Sequence, residues 1–348
     1  MPKASDQALK KRIYRLEQLA SIASMYYEQE MTQEEIADKF FISRSRISRL
    51  LKLAHKNGVV DIRIRHFADR SYELENLLKR SFHLKDAIVA VTDGMEYAQT
   101  LTQLGYFAAE YIDANIQNAR TFGFSWGKSI GQTVEQLKGA NLPDLELVQV
   151  IGGIFAQNPL IDIAGITQKV MQKYRGKPYY LNAPLFVDDE QAARVMRAQP
   201  IIAEALEKAE KADLILTGIG AIEQTNLQFL WKGFNAQELF NQLSHANAAG
   251  FICAQAFDIK GQPISGSFNN HVIGIPLDKL KKVKTVVAVS GGKGKAQAVM
   301  GALRGGYVDV LVTDINCVKE IFRLDRSFFD IKPRDETLTA LSSNKGKV

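Results

Sequence analysis

Apolar positions along the chain follow two rhythms. Up to about His66 the spacing is helical. Ile47, Leu50, Leu51 and Ala54 fall at i, i+3, i+4 and i+7, which places them on one stripe of a helix over Ser43 to Asn57. At 3.6 residues per turn, Ser45, Ser48, Arg49, Lys52 and Lys56 project away from that stripe. A shorter helix is predicted over Thr32 to Phe40, with Ile36, Ala37 and Phe40 inward. A longer one over about Ala8 to Glu28 packs through Ile13, Leu16, Ala20 and Ala23. After Gly58, Val60, Ile62 and Ile64 alternate with Asp61, Arg63 and Arg65, the period of a half-buried strand, which we read as a wing.

From about Ala87 the rhythm changes. Seven short runs rich in Val, Ile and aromatic residues alternate with helical stretches: AIVAV (87–91), TFGFS (121–125), LELVQVIGG (145–153), PYYLNA (178–183), DLILTGIG (213–220), TVVAVSGG (285–292) and VDVLVTD (308–314). This alternation predicts a mostly parallel sheet with helices on both faces, a three-layer α/β domain. Gly250 to Ile264, with FDIKG (257–261) as its turn, reads as an antiparallel insertion. Tyr72 to Leu84 reads as a connecting helix whose apolar face is Leu74, Leu77, Leu78 and Phe82. The predicted organisation is a winged helix-turn-helix over 1–66, a linker helix over 67–86, an α/β domain over 87–326 and a frayed tail over 327–348.

Local chemistry sharpens the first unit. Thr32-Gln33-Glu34-Glu35 has the spacing of a capping box. Phe41-Ile42 makes a tight turn, and Ser43 is a good N-cap for the next helix. That helix carries Arg44, Arg46, Arg49, Lys52 and Lys56 and no acid. Charge is unevenly placed. Residues 1–66 hold 13 Lys and Arg against 8 Asp and Glu, net +5, while the rest holds 31 against 30, for the chain total of +6. Such an excess on one small unit is an electrostatic footprint for double-stranded DNA. Ser45, Arg46 and Arg49 lie nearest the N-terminal outer face, the part that reaches base edges. Arg44, Lys52 and Lys56 are placed to hold phosphates. Thr32, Gln33, Ser43 and Ser48 complete the DNA-facing set. A plain three-helix bundle with a solvated basic face is the alternative. It leaves the coincidence of box, turn, cap and acid-free helix unexplained.

Length and composition add limits. The 348 residues suggest two or three domains. Residues 1–12 are polar and charged, without the apolar core of a signal peptide. The longest apolar stretch, near Leu147 to Ala156, is too short for a membrane span of about 20 residues. Cys253 and Cys317 sit singly in apolar runs and the histidines lack ligand spacing, so neither a metal nor another cofactor is expected and a reducing cytoplasm is.

In a parallel sheet, ligands bind beyond the carboxyl ends of the strands. Two glycine-bearing loops fall there. Gly123-Phe124-Ser125-Trp126-Gly127-Lys128-Ser129 ends one strand and opens a helix, a seat for a phosphate or sugar hydroxyl. It is one residue short of a Walker A loop, with Phe122 where the first glycine belongs, which argues against nucleotide hydrolysis. Ser290-Gly291-Gly292-Lys293-Gly294-Lys295 is the second. One such loop could be a mere turn; two basic loops on one sheet edge point to an anionic or polyhydroxylated ligand.

Taken together, MTQEEIADKFFISRSRISRLLKLAHKNGVVDIRI, GFSWGKS, LVQVIGG, GIG (218–220), FDIKG, AVSGGKGKAQA (288–298) and LVTD (311–314) resemble the SorC/DeoR family of bacterial sugar-responsive transcriptional regulators. The resemblance runs from about Ile13 to Leu324. It implies a phosphosugar-isomerase-like (NagB/RpiA-like) effector domain, a homo-oligomer, commonly a tetramer, and control of operator binding by a sugar, polyol or sugar phosphate. Residue by residue, it implies that Ser125, Lys128 and Ser129, with Gly123 and Gly127, hold the ligand's phosphate or terminal hydroxyl. Gly291, Gly292 and Lys295 meet it from the second loop. Similar chains often carry a polar or acidic residue where this one has Phe251, at a position that meets the sugar. The competing reading is an isomerase-like enzyme with an appended DNA module. Asp314, Glu223 and His271 are its candidate acids and bases, and nothing in the sequence groups them.

Overall fold

The computed structural model describes residues 4–60, 69–154, 162–223, 236–264 and 268–325, with side chains of the first helix described from residue 16 onward. Contacts divide the chain into two compact units, Met1–His66 and Phe67–Val348.

The first unit is three helices: α1 (Ala4–Tyr27), α2 (Gln33–Phe40) and α3 (Arg44–Lys56). The capping box forms as its sequence predicts. Thr32 Oγ1 accepts from the Glu35 amide at 3.2 Å, and Glu35 Oε2 accepts from the Thr32 amide at 2.8 Å. These hydrogen bonds from Thr32 hold the Glu35 carboxyl below its usual range. Ser43 caps α3 by accepting from the Arg46 amide at 3.3 Å. Ile36, Ile47 and Ala54 are fully buried, with Leu19, Ile22 and Leu51 around them. Burying each large aliphatic side chain is worth about 1.5–3 kcal/mol, so this small cluster fixes the angle between α2 and α3.

Two expectations about the inner faces fail. Phe40 is 39% exposed, because α2 ends there and the backbone turns left-handed at Phe41 (φ 53°), bringing Ile42 onto the cluster instead. Ala20 is exposed: the stripe of α1 keeps Leu16 and Ala23 as expected but is completed by Leu19 and Ile22. The side chain of Ile13, and residues 61–65 of the expected wing, lie outside the described residues. Val59 and Val60, which lead to the wing, pack on the cluster.

The second unit is an α/β domain. Its nine strands among the described residues are β1 (Asp86–Ala90), β2 (Thr121–Phe124), β3 (Glu146–Gln149), β4 (Lys177–Tyr179), β5 (Leu214–Ala221), β6 (Ala248–Ile252), β7 (Gln255–Asp258), β8 (Val286–Val289) and β9 (Val310–Asp314). Seven lie side by side in the order β1-β9-β8-β5-β2-β3-β4, all parallel. Every residue of β2, β8 and β9 is buried. Burial of successive residues, which point to opposite faces, means that both faces are covered, and it explains the unbroken apolar runs. The covering helices include α4 (Tyr72–Phe82), α5 (Tyr97–Asn115), α6 (Lys128–Gln136), α7 (Ile163–Tyr174), α8 (Glu190–Arg197) and α9 (Pro200–Glu210). In the C-terminal half they are α10 (Ala236–His245), α11 (Leu277–Leu280), α12 (Ala296–Arg304) and α13 (Ile315–Leu324).

α4 packs on β1 within this unit. Its Glu75 is 2% exposed, receives Nε and one terminal nitrogen of Arg70 at 2.8 and 2.9 Å, and accepts from the Val89 amide at 2.9 Å. The segment expected to be a linker is therefore bolted to the sheet edge. The antiparallel insertion is a hairpin, β6 with β7, and β6 also pairs with β5. Its turn is Cys253-Ala254, both with positive φ (49° and 59°), rather than FDIKG. FDIKG forms the next turn, where Asp258 Oδ1 accepts from the Lys260 and Gln262 amides at 2.9 and 2.8 Å and Gly261 takes φ 78°. The C-terminal 326–348 lie outside the described residues.

Candidate functional site

On α3 the sequence sorts its two faces cleanly. Arg44, Ser45, Arg46, Arg49, Lys52 and Lys56 are exposed, as are Thr32 and Ser43; Gln33 and Ser48 are half-buried. Among the described residues no carboxylate pairs with these α3 cations. Arg49 Nε leans back to the Ser45 carbonyl at 3.4 Å, and the Ser43 and Ser45 hydroxyls meet at 3.0 Å. A serine-capped helix start flanked by exposed arginines is the arrangement that enters a major groove.

In the α/β unit, strand order reverses between β2 and β5. From β2 the chain steps outward to β3 and β4, then returns to β5 and proceeds the other way through β8 and β9. A crevice beyond the carboxyl ends at such a reversal is where open α/β sheets bind ligands. A cavity of about 390 Å³ lies there. Ser125, Gly127, Lys128, Ser129, Phe251, Gly291, Gly292 and Lys295 all line it, so eight of the nine effector-site candidates come together. Gly123 does not. It lies inside β2, where a Cβ would sit 2.7 Å from Val150 Cγ1 and 2.9 Å from Ile215 Cγ1, so its lack of a side chain serves packing between strands.

The two loops are held by different devices. Trp126 Nε1 donates to the Gly152 carbonyl at 2.8 Å, and Ser125 N to the Leu216 carbonyl at 3.0 Å, which tie the first loop to its neighbours. Gly127 takes φ 130° as N-cap of α6, a conformation that favours glycine. The first amides of α6 have no partner within the helix and, with the helix dipole, favour an anion. In the second loop, Asp314 is fully buried at the end of β9. It accepts from the Gly292 amide while capping α13 through the Asn316 and Cys317 amides at 2.9 and 3.2 Å. Ser290 donates to the Ile219 carbonyl at 3.0 Å.

Lysines face the cavity from both loops. Lys295 is mostly buried, and its amine sits 3.9 Å from Glu223. Burial lowers its pKa from the ordinary lysine value, Glu223 opposes that, and Lys128 adds to it. Tyr97, at the start of α5, is raised by burial and by the Glu223 and Asp314 charges. A positive site with one counter-charge is set to accept further negative charge.

Sequence reasoning missed Tyr97, Trp126 as a lining side chain, Thr217 and Cys253. Thr217 directly precedes the GIG triplet at the end of β5, which is a signal that could have found it. Tyr97 had none: its place follows from the start of α5 lying against the second loop, where a Cβ on Gly292 would be 3.3 Å from its ring. Of the candidate acids and bases, Glu223 lines the cavity and Asp314 and His271 do not. His271 stacks on Phe186, with ring centroids 5.2 Å apart, and its Nδ1 lies 2.8 Å from the Val187 carbonyl. Among the described residues no cluster of His, Cys, Asp and Glu is placed to hold a metal ion, and no helix is long and apolar enough to cross a membrane.

Comparison with known proteins agrees with both units. Residues 67–323 match the family described as "Putative sugar-binding domain", and residues 17–57 match Sigma-70, region 4. The deoxyribonucleoside regulator of Bacillus subtilis (strain 168) is 29% identical over 292 residues, covering 84% of this chain and 93% of its own. Transcriptional regulator LsrR of Escherichia coli (strain K12) is 30% identical over 310 residues, covering 88% and 95%. The crystal structure of the full-length sorbitol operon regulator SorC from Klebsiella pneumoniae superposes with a TM-score of 0.66 at 26% identity, covering 88% of this chain and 98% of that one. Fold and site thus define a transcriptional regulator, with a DNA-binding helix-turn-helix joined to a sugar-binding α/β domain. The chain belongs to the SorC/DeoR family of sugar-binding transcriptional regulators.

Proposed function

We propose that this regulator binds an anionic effector, a sugar or polyol phosphate, between the loops 123–129 and 290–295, and that the effector sets the affinity of α3 for operator DNA. The observation that carries the proposal is the convergence of Lys128, Lys295, Ser125, Ser129 and the α6 N-terminus on one cavity at the strand-order reversal. The anionic end sits on Ser125, Lys128 and Ser129, with Lys295 opposite. The α/β unit then works as a sensor with a phosphosugar-isomerase-like layout and no turnover. Asp314 is engaged by three backbone amides, His271 stands outside the cavity, and Glu223 serves as counter-charge to Lys295. One helix-turn-helix makes too few contacts for genomic specificity, so the chain acts as a dimer or tetramer on a pseudo-palindromic operator. Self-association runs through the 67–325 unit, including α4.

The test is operator release titrated with the cognate effector for wild type and Lys128→Ala. Loss of one charge-assisted contact to a phosphate costs about 1.5–3 kcal/mol, so the midpoint should move roughly tenfold to hundredfold. DNA binding without effector should be unchanged. An unmoved midpoint would place the pocket elsewhere and leave the first loop a mere turn.

A further inference from the structure

The chain enters the α/β unit at Phe67, and residues 69–71 lie along the outer edge of β1. Arg70 pairs with Ala90 as an antiparallel bridge. The Ser71 amide donates to the Val89 carbonyl at 2.9 Å, and the Val91 amide donates to the Asp69 carbonyl at 2.7 Å. Backbone hydrogen bonds at a sheet edge open easily on their own. Glu75 prevents this. Its carboxylate is buried and accepts two hydrogen bonds from the Arg70 guanidinium and a third from the Val89 amide. If residues 69–71 left the edge, Glu75 would keep a buried charge with one partner, which is strongly unfavourable. The fork of Arg70 thus makes the entering chain a member of the sheet.

The other side of β1 leads to the cavity. Ala90 is also the register partner of Asp314 in β9, and Asp314 holds the Gly292 amide of the second loop. A second line of contact runs through α5. The Arg70 guanidinium lies 5.9 Å from the ring centre of Phe107 and 5.1 Å from that of Tyr72. Nearer the start of α5, Leu104 packs beside Gly291, where a Cβ would lie 2.5 Å from its Cδ1, and Leu101 and Tyr97 line the cavity. Arg70 therefore meets the strand and the helix that flank the second loop. A ligand shifts a remote equilibrium only when both sites bias one element. The entering segment is such an element: the sheet, α5 and the covalent connection to the DNA-binding unit all meet in it.

We propose that Arg70 is the positioning residue that couples the cavity to DNA binding: by pinning residues 69–71 to β1, it carries a change in how Asp314 holds the second loop to the point where the chain arrives from the DNA-binding unit. The proposal rests on the reading above that the cavity sets DNA affinity, and adds the residue through which it does so. Tethered loosely, the DNA-binding unit would be insulated from events at the second loop. Pinned, the entering peptide moves with β1 and β9. Glu75 is the second half of the device, because its burial makes the pin costly to withdraw.

Coupling is reciprocal, so DNA bound at α3 must alter the second loop just as a ligand in the cavity alters α3. The experiment is amide hydrogen exchange of the full-length protein, free and bound to a duplex that the wild type selects from a random-sequence pool. In the wild type, exchange across 290–295 should change at least about fivefold on DNA binding, together with the Ser71 and Val91 amides. Arg70→Met combined with Glu75→Gln removes the fork and the buried charge together; the change at 290–295 should vanish while the duplex still binds. Arg70→Lys keeps the charge but not the fork, and should keep only part of the change. Melting curves check that the variants fold, and Arg70→Lys decides alone if the paired variant does not. An undiminished change at 290–295 in a folded variant overturns the inference and leaves the cavity's control of DNA binding standing. No change there in the wild type overturns both.

Discussion

Two sets of basic side chains in this molecule meet negative charge in opposite ways. On α3 the arginines and lysines are exposed and, among the described residues, lack carboxylate partners. In the cavity, Lys295 is 16% exposed and has Glu223 3.9 Å away, and Lys293 has Glu320 at 3.8 Å. The first set is solvated charge spread along a helix, suited to a polyanion of regular spacing. The second centres on Lys295, desolvated and partly neutralised in advance, with Lys128 and Lys293 exposed at the rim, and is suited to one small anion. Residue type alone does not separate them; burial and counter-charge do.

The largest expected consequence is in salt dependence. A surface that neutralises six or more phosphates releases their counterions, so operator affinity should fall by roughly a thousandfold between about 50 and 200 mM salt. Effector affinity should change less than about tenfold over the same range, because one small anion releases few counterions and Lys295 is recessed from screening. Fluorescence titrations of operator and of effector at matched salt check this; equal slopes would erase the distinction between the two surfaces.

Within α3 the contrast continues on a smaller scale. Arg46→Ala should cost about 1–3 kcal/mol at the operator and relax base preference at one position. Lys56→Ala should weaken operator and random DNA alike and make the salt slope shallower. Equal losses on the two DNAs for Arg46→Ala would remove it from base reading.

The cavity side can be tested by pH. Lys295 has its pKa lowered in the folded protein, chiefly by burial. Its charged form binds the effector's phosphate, so effector affinity is full below that lowered value and declines as pH rises through it, short of the ordinary lysine value of about 10.4. Unliganded stability should move oppositely, rising over the same interval, because the unfolded chain there holds a proton that the folded one has released. Titrations from pH 7 upward read both. Lys295→Arg should flatten the affinity profile, and a wild-type profile flat to the ordinary lysine range would contradict the burial.

The smallest effect concerns the turn of the DNA-binding unit. Phe41 adopts φ 53° and is 95% exposed. Left-handed backbone costs a bulky residue on the order of 1–2 kcal/mol relative to glycine, offset in part by the entropy glycine loses on folding. Phe41→Gly should therefore stabilise the unit by about 1 kcal/mol or less, read as a rise in its denaturation midpoint.

Much of this was legible in the sequence, for physical reasons. Strands covered on both faces are apolar at nearly every position, which is why runs such as VVAV and the VLV that opens β9 stand out. The α2 box and the Ser43 cap involve partners three residues apart, so spacing suffices to see them. Features set by distant partners were not legible. The inward phase of α1 depends on α3, and Ala20 loses to Leu19 for that reason. The hairpin turns at Cys253-Ala254, where neither residue announces a positive φ. Gly123 reads as part of a ligand loop until Val150 and Ile215 are seen against it. Tyr97 joins the cavity only through the place that tertiary packing gives the start of α5.

The pairing of β1 with β9 carries a consequence for synthesis. Asp86 sits beside Val310, so the first strand of the sensor waits for one made 224 residues later. At about 5–20 residues per second the ribosome needs roughly 10–45 s to supply it. During that interval α1, α2 and α3, whose buried contacts all fall within 1–66, are already complete. Each molecule thus has a period in which its reader is finished and its sensor is not. Chains that stop before β9 would keep a recognition helix with no means of being told to let go.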